Sequence, residues 1–363
     1  MKKVIALILL LVMIFTLASC ADKTAEDTPA EPGSPAEPGS PADSGDSELG
    51  WNPANIGTHK FILAHGLPET SMTGIQYHEF AVAVDELSGG KIKIEERIGG
   101  TLVTDTETLD AMLDGTIDLC HSMGSYVSGT ITDISPLTVP GSFAGDDWPG
   151  FIEESFDLID SIYGDYGIKY LGSVAQGVTV IANADRQIKV PSDVTGQTIR
   201  ASGTWVAKTV EAWGGAPVTI GLADLSDAFS KKTVQGVPTG LNIIVPFKIY
   251  EVAEHITKTN MSEGFAALLM SEKSWNTLND DEKALFIEAG KIFTEKSYEH
   301  ANKFMDEYMK TIEDSGRNQV HYTTKEEQAE FSKVSFDMFD EMSSGLGDKG
   351  NELIELLKRI AEE

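Results

Sequence analysis

Phe80-Ala81-Val82-Ala83-Val84-Asp85-Glu86-Leu87-Ser88-Gly89-Gly90-Lys91-Ile92-Lys93-Ile94-Glu95 changes its period partway along. Phe80, Ala83, Val84 and Leu87 fall at i, i+3, i+4 and i+7, one face of a helix, and Gly89-Gly90 stops it. Lys91 to Glu95 then alternates apolar with polar, as a half-buried strand does. Upstream, Phe61-Ile62-Leu63-Ala64 is a short apolar run ending at Gly66. Downstream, Leu109, Met112 and Leu113 mark a second helix that ends at Gly115, ahead of a strand from Ile117 to Cys120. The order β-α-β-α-β predicts the α/β class, a sheet with helices on both faces.

The pattern recurs further along. Ile168 to Val174 reads as a strand, Pro191-Ser192 as the start of a helical turn, Ile199-Arg200 as a strand end, 204–213 as a helix and Ala216 to Ile220 as another strand. Asn279 with Glu282 three residues on forms a capping pair. From there to Ser315 no proline intervenes and Gly290 is the only glycine. A helix of that length spans roughly 50 Å, longer than one lobe needs, and is expected to brace two. A further capped helix is expected near Thr323, with Glu326 three residues on.

The N-terminus carries an address. Met1-Lys2-Lys3 is a positive n-region, Val4 to Leu17 is almost unbroken apolar, and Leu17-Ala18-Ser19-Cys20 closes it with small residues ahead of a cysteine. The segment is too short and wrongly flanked for a stable membrane span and reads as a secretory signal over residues 1–19. It resembles a bacterial lipobox, which implies that Cys20 becomes the acylated first residue of a chain tethered outside the cytoplasm. Residues 20–57 are rich in Pro, Gly, Ser, Ala and acid, with Ala30-Glu31-Pro32-Gly33-Ser34-Pro35 nearly repeated from Ala36 to Pro41. Such a composition buries no core and reads as a spacer. Residues 58–363 remain, enough for two lobes.

The formal net charge is −29, from 57 acidic against 28 basic residues. Nucleic-acid binding rests on neutralising phosphates with Lys and Arg, so this balance argues against it. It argues equally against adhesion to anionic lipid, leaving the lipid anchor as the expected route to the membrane. An anionic ligand would need a local, fixed cation. Of the two cysteines, Cys20 is committed to lipid, so no intramolecular disulfide is available, and Cys120 sits in an apolar run as a buried small hydrophobe.

Catalytic signatures are absent. There is no Gly-x-Ser-x-Gly, His-Glu-x-x-His, Gly-x-x-x-x-Gly-Lys or Gly-x-Gly-x-x-Gly. The seven histidines show no metal-ligand spacing. His65 and His121 follow strand ends, where ligands of α/β sheets bind, and are read as hydrogen-bonding groups rather than metal ligands. Neither a catalytic centre, a metal nor a cofactor is expected.

Ile188-Lys189-Val190-Pro191-Ser192-Asp193-Val194-Thr195-Gly196-Gln197-Thr198-Ile199-Arg200 is the informative segment. A helical turn begins at Pro191, ends at Gly196, and leads into a strand terminating in Arg200. A guanidinium there suits a planar carboxylate, which its fork can hold through two parallel hydrogen bonds. A salt bridge to one of many nearby acids fits the spacing equally well.

This stretch resembles the pattern Pro-x-Asp-Leu-x-Gly-x-x-Ile-Arg in the solute-binding proteins of TRAP (tripartite ATP-independent periplasmic) transporters. The resemblance extends over Leu87 to Ile94, Thr108 to Leu119, Gly214-Gly215-Ala216-Pro217-Val218, Tyr250-Glu251-Val252 and Trp275-Asn276-Thr277-Leu278. It implies a two-lobed periplasmic-binding-protein-like fold with crossing hinge strands and a long bracing helix. Lobe I would take residues 58–176 plus 265–304, and lobe II 177–264 plus 305–363. It implies a receptor that captures a small organic acid for membrane permease subunits, with Arg200 on the carboxylate. By alignment, Gln176, Thr179, Ser122, Thr239 and Asn242 offer neutral hydrogen bonds, Trp205 and Leu222 apolar contact, and His65 a further polar group. Trp205 is read equally as a stacking surface or as packing in its lobe's core.

The sequence departs from the family in places. Many members carry a second arginine in the strand matching Ala175 to Ile181, where this chain has none. The acidic or amide cluster after Val-Asp-Gly is here Val234-Gln235-Gly236-Val237-Pro238-Thr239-Gly240-Leu241-Asn242, and a common aromatic is Ser226. These changes weigh against a sugar acid or plain dicarboxylate. An ABC-type receptor is disfavoured by the single bracing helix, and a surface-anchored enzyme by the missing motifs.

Overall fold

The structure, a computed structural model, describes residues 50–142, 148–262 and 264–362. The signal segment, Cys20 and the spacer as far as Leu49 lie outside the described residues. The spacer ends sooner than composition suggests. Trp51 and Ile56 are buried against Phe61, Leu63 and Phe286, so the packed domain begins near Trp51 rather than at residue 58.

The opening alternation folds as β1 (His59–Ala64), α1 (Met72–Leu87), β2 (Ile92–Arg97), α2 (Thr108–Asp114) and β3 (Leu119–Met123). Phe80, Ala83 and Val84 of α1 are buried as their spacing requires. On α2, Leu109 and Met112 are buried, whereas Leu113 is exposed. A helix of two turns has one inward stripe, and Leu113 stands one position beyond it. Gly115 caps α2 at φ +85°, a left-handed conformation that favours glycine. Asp118 then ties the layers together, accepting from the Ile62 N–H at 2.8 Å and the Ser274 hydroxyl at 2.5 Å. Cys120 is buried, and burial pushes its thiol up to about 12.

After α3 (Gly124–Val127) and α4 (Trp148–Gly164), β4 (Ile168–Val174) returns to the first sheet and β5 (Val178–Asn183) opens the second. The second continues through β6 (Thr198–Ala201), α5 (Thr204–Ala212), β7 (Ala216–Thr219), α6 (Leu225–Ser230), β8 (Gly236–Gly240), α7 (Leu241–Ile244) and β9 (His255–Ser262). The chain crosses back into β10 (Ala266–Ser271) and α8 (Glu272–Trp275). Then come α9 (Asp280–Asp314), β11 (Gln319–Tyr322), α10 (Lys325–Ser343) and α11 (Asp348–Glu362). No helix among the described residues is long and apolar enough to cross a membrane.

The first sheet runs β2-β1-β3-β10-β4 and the second β11-β9-β5-β8-β6-β7. In the first, β1 is parallel to β2 and β3, while β10 is antiparallel to β3 and β4. In the second, β5 is antiparallel to β8 and β9. The two short crossings, β4 to β5 and β9 to β10, join two α/β lobes, with β4 and β10 paired in one sheet and β5 and β9 in the other. These antiparallel pairs carry the chain between lobes, a feature the simple alternation does not foretell.

Helix α9 is 35 residues long, and Asn279 and Glu282 cap it reciprocally. Its first half buries Leu285, Phe286 and Phe293 with the Phe61–Phe80 cluster, and its second half buries Met305, Tyr308 and Ile312 in a separate cluster. Gly290 sits where the helix meets β4. A Cβ there would lie 2.0 Å from the Leu171 carbonyl oxygen, and one on Gly172 would lie 2.5 Å from the Thr294 hydroxyl. The glycine that weakens the helix locally is what lets it lie on the strand backbone.

The next cap is Thr324 with Glu327, one residue later than the spacing predicts, because Thr323 is engaged with the Lys258 carbonyl at the edge of the sheet. Helix α11 packs on α4 and on the 3-10 turn Thr132–Thr138. Lys349 reaches the Ser161 carbonyl at 2.8 Å, and the Gly347 N–H reaches Asp133 at 2.7 Å. The C-terminal helix therefore lies against elements of the first lobe, correcting the expectation that 305–363 belongs wholly to the second.

Candidate functional site

The turn that delivers Arg200 is built by its own sequence. Asp193 accepts from the backbone N–H groups of Lys189 at 2.8 Å and Val190 at 3.1 Å, which closes the Pro191–Val194 turn. Gly196 follows at φ +78°. Gln197 and Asn183 then pair their amides at 2.9 Å, pinning β6 to the sheet. Three residues on, Arg200 enters the cleft between the lobes, only 3% exposed.

Its guanidinium is held but not neutralised. Nε donates to the Ile220 carbonyl at 2.9 Å, and Nη2 lies 3.4 Å from the Tyr126 hydroxyl, which comes from the other lobe. Among the described residues no carboxylate pairs with it. Of the two readings the spacing allows, the salt bridge is thus not formed among the described residues. A buried cation without an anion is costly, and a ligand anion would relieve that cost.

The first lobe lines the cleft with Leu67, Asp105, His121, Met123, Ser125, Tyr126, Thr138, Pro140 and Phe265. The second contributes Thr179, Arg200, Ser202, Val206, Leu222, Pro238, Thr239 and Ile243, and Gln176 and Gly264 stand at the crossings. The cavity volume is about 50 Å³, enough for a few waters. At the mouth the lobes touch backbone to backbone, since a Cβ on Gly203 would lie 2.1 Å from the Ser125 carbonyl oxygen.

Of the expected site residues, Arg200, Gln176, Thr179, Thr239 and Leu222 meet in this cleft. Asn242 stands behind it, its side-chain amide donating to Gln176 Oε1. That contact turns Gln176 Nε2 away, leaving it buried without a hydrogen-bond partner among the described residues. Ser122, Trp205 and His65 do not line the cleft. Ser122 is buried within β3, opposite Ala267. Trp205 packs against the core under Lys208, whose ammonium lies 4.2 Å from its ring centroid. His65 is buried at the end of β1 against Tyr77, with ring centroids 5.4 Å apart.

Sequence reasoning missed Asp105, Ser125 and Tyr126. Ser125 and Tyr126 follow the carboxyl end of β3 and Asp105 follows that of β2, positions where ligands of α/β sheets gather, and that placement is the signal available. His121, noted only as a strand-end residue, belongs to the wall. Burial pushes His65 and His121 each down to about 4, with His121 adding to the effect on His65, so both rings are neutral at physiological pH. Burial raises Asp105, against the opposing N–H of Gly66. No group of three metal-ligating side chains occurs among the described residues.

Residues 63–345 match the family described as bacterial extracellular solute-binding protein, family 7. A C4-dicarboxylate-binding protein of Bacillus subtilis is 23% identical over 280 residues, covering 75% of this chain and 79% of that protein. Among solved structures, a TRAP periplasmic solute-binding protein from Sulfurospirillum deleyianum with bound succinate superposes with a TM-score of 0.75 at 20% identity, covering 84% of this chain and 100% of that one. A Bordetella pertussis extracytoplasmic solute receptor binding pyroglutamic acid gives 0.76 at 14% identity, covering 82% and 99%. At such identities the superpositions speak for the fold, and the sequence match speaks for the lineage: the chain belongs to the DctP family of bacterial extracellular solute-binding proteins.

Proposed function

We propose that the chain is the lipid-anchored, extracytoplasmic receptor of a TRAP-type transporter. It captures a small organic acid by its carboxylate on Arg200 and passes it, chemically unchanged, to the membrane permease. The observation that carries this reading is the Arg200 guanidinium, buried between two lobes without a carboxylate partner among the described residues. Gln176 Nε2 and Ser125 Oγ, buried and without partners among the described residues, offer neutral hydrogen bonds beside it. The relatives' ligands, succinate and pyroglutamic acid, are carboxylic acids of the expected size. Anchoring rests on the order Met1 to Cys20 in the sequence.

Native mass spectrometry of protein purified from its own host is the direct test. The expected result is a retained small molecule bearing a carboxyl group, released intact on unfolding. A retained ligand without an acid group, or one converted by the protein, overturns the proposal.

A further inference from the structure

Among the described residues lining the cleft, two carry a formal charge, Arg200 from one lobe and Asp105 from the other. Asp105 is fixed in place. Its Oδ1 accepts the Gly66 N–H at 2.7 Å, and its carboxylate lies so close over that glycine that a Cβ on residue 66 would come within 2.4 Å of Oδ2. Neither Lys nor Arg pairs with it among the described residues, and the nearest base, His121, holds Nδ1 at 3.9 Å, beyond a hydrogen bond. Oδ2 has no donor within the described protein. The first lobe's side of the cleft thus presents an acceptor that no described residue fills.

That pairing of charges constrains the ligand. An acid seated on Arg200 that carried a second carboxylate would bring like charge towards Asp105 in a cleft with little water to screen it. An acid carrying an N–H group would instead fill the vacant acceptor. We infer that Asp105 determines specificity, so that the cleft takes a monocarboxylate bearing a nitrogen hydrogen-bond donor and rejects dicarboxylates. The inference rests on Arg200 holding the carboxylate. It separates this chain from a relative such as the succinate-binding one, using a residue that acts as much by repulsion as by attraction.

The test is calorimetric titration of the wild type and Asp105→Asn with α- and ω-amino acids and with dicarboxylates of matched chain length. Asparagine keeps an oxygen for the Gly66 N–H and removes the charge. The wild type should favour the nitrogen-bearing member of a pair by about tenfold or more, and Asp105→Asn should erase or invert that preference. A wild-type preference for the dicarboxylate overturns the inference without any variant being needed. So does an unchanged preference in folded Asp105→Asn. If the wild type binds no member of either series, the inference falls, while the carboxylate reading stands or falls with the retained-ligand experiment. If the wild type binds through Arg200 but does not discriminate, only the role of Asp105 falls.

Discussion

Replacing Arg200 by alanine separates a ligand-holding arginine from a structural one. In the closed cleft the guanidinium is 3% exposed and keeps one hydrogen bond to the Ile220 carbonyl and a longer one to Tyr126. A carboxylate brought there loses most of its water, and removing its partner leaves that charge unpaired. Truncating one member of such a pair costs about 2–5 kcal/mol, roughly 30- to 5,000-fold in affinity. The empty protein should behave differently. Alanine forfeits the two hydrogen bonds, about 1 kcal/mol each, but also removes a buried cation that no described carboxylate neutralises. Those effects oppose each other, so the melting temperature of the empty variant should stay near that of the wild type. Arg200→Lys should recover only part of the affinity, since a point charge does not reproduce the planar fork. Isothermal titration with an acid the wild type binds, alongside melts of the same proteins without it, measures both quantities. Near-wild-type affinity in a destabilised Arg200→Ala protein would refute the reasoning and assign the arginine to the scaffold.

Three further outcomes are expected. Cys20→Ser should move the protein from the membrane fraction to the soluble one, and equal membrane retention of both forms would end the anchoring proposal. His65 and His121 are neutral when folded, with pKa values near 4, and take up protons near 6.5 when unfolded, so the unfolded state binds more protons between those limits. Stability should therefore fall as pH drops through that window, by at most roughly 3 kcal/mol per ring, with the raised Asp105 partly opposing the trend and Tyr77 packed against both rings. Urea melts at neutral and acid pH should show a shallower fall in His121→Asn, and an unaltered slope would exclude this ring as a source. Gly290→Ala gains about 1 kcal/mol of helix propensity but forces a methyl group onto the Leu171 carbonyl, so α9 must shift from β4 at a typical cost of about 1–3 kcal/mol or more. A variant as stable as the wild type would contradict the close approach.

What could be read in advance was local. The Asn279–Glu282 cap was legible because capping joins residues three apart, and the α1-to-β2 passage because periodicity is a property of neighbours. The segment leading to Arg200 could be read for the same reason: the turn that aims it is closed by Asp193 within five residues. Where distant chain decides the outcome, local reading fell short. Trp51 and Ile56 are buried because the bracing-helix cluster covers them, although the composition around them is that of a spacer. Leu113 is exposed because α2 is covered along only one stripe. Trp205 turns to the core and Lys208 rather than to the cleft, which its proximity to Arg200 could not decide. Asp105 and Tyr126 escaped notice because they join the site only across the gap between lobes, one in a turn and the other in a single-turn helix too short to show periodicity.

The strand order has a consequence for how the protein can be made. In the first sheet β10 lies between β3 and β4, so a ribosome must have finished Ser271 before β4 can join the three strands that precede it. The second sheet acquires its edge strand only with Gln319 to Tyr322. Neither lobe is a continuous stretch of gene, and a chain cut after Ser262 holds most of one sheet and leaves the other in two pieces. Pairings between such distant segments form slowly, because a long loop must close before any contact repays it. A nascent chain that starts to fold early has no finished half to fall back on, which favours keeping it unfolded until its last strand has been delivered.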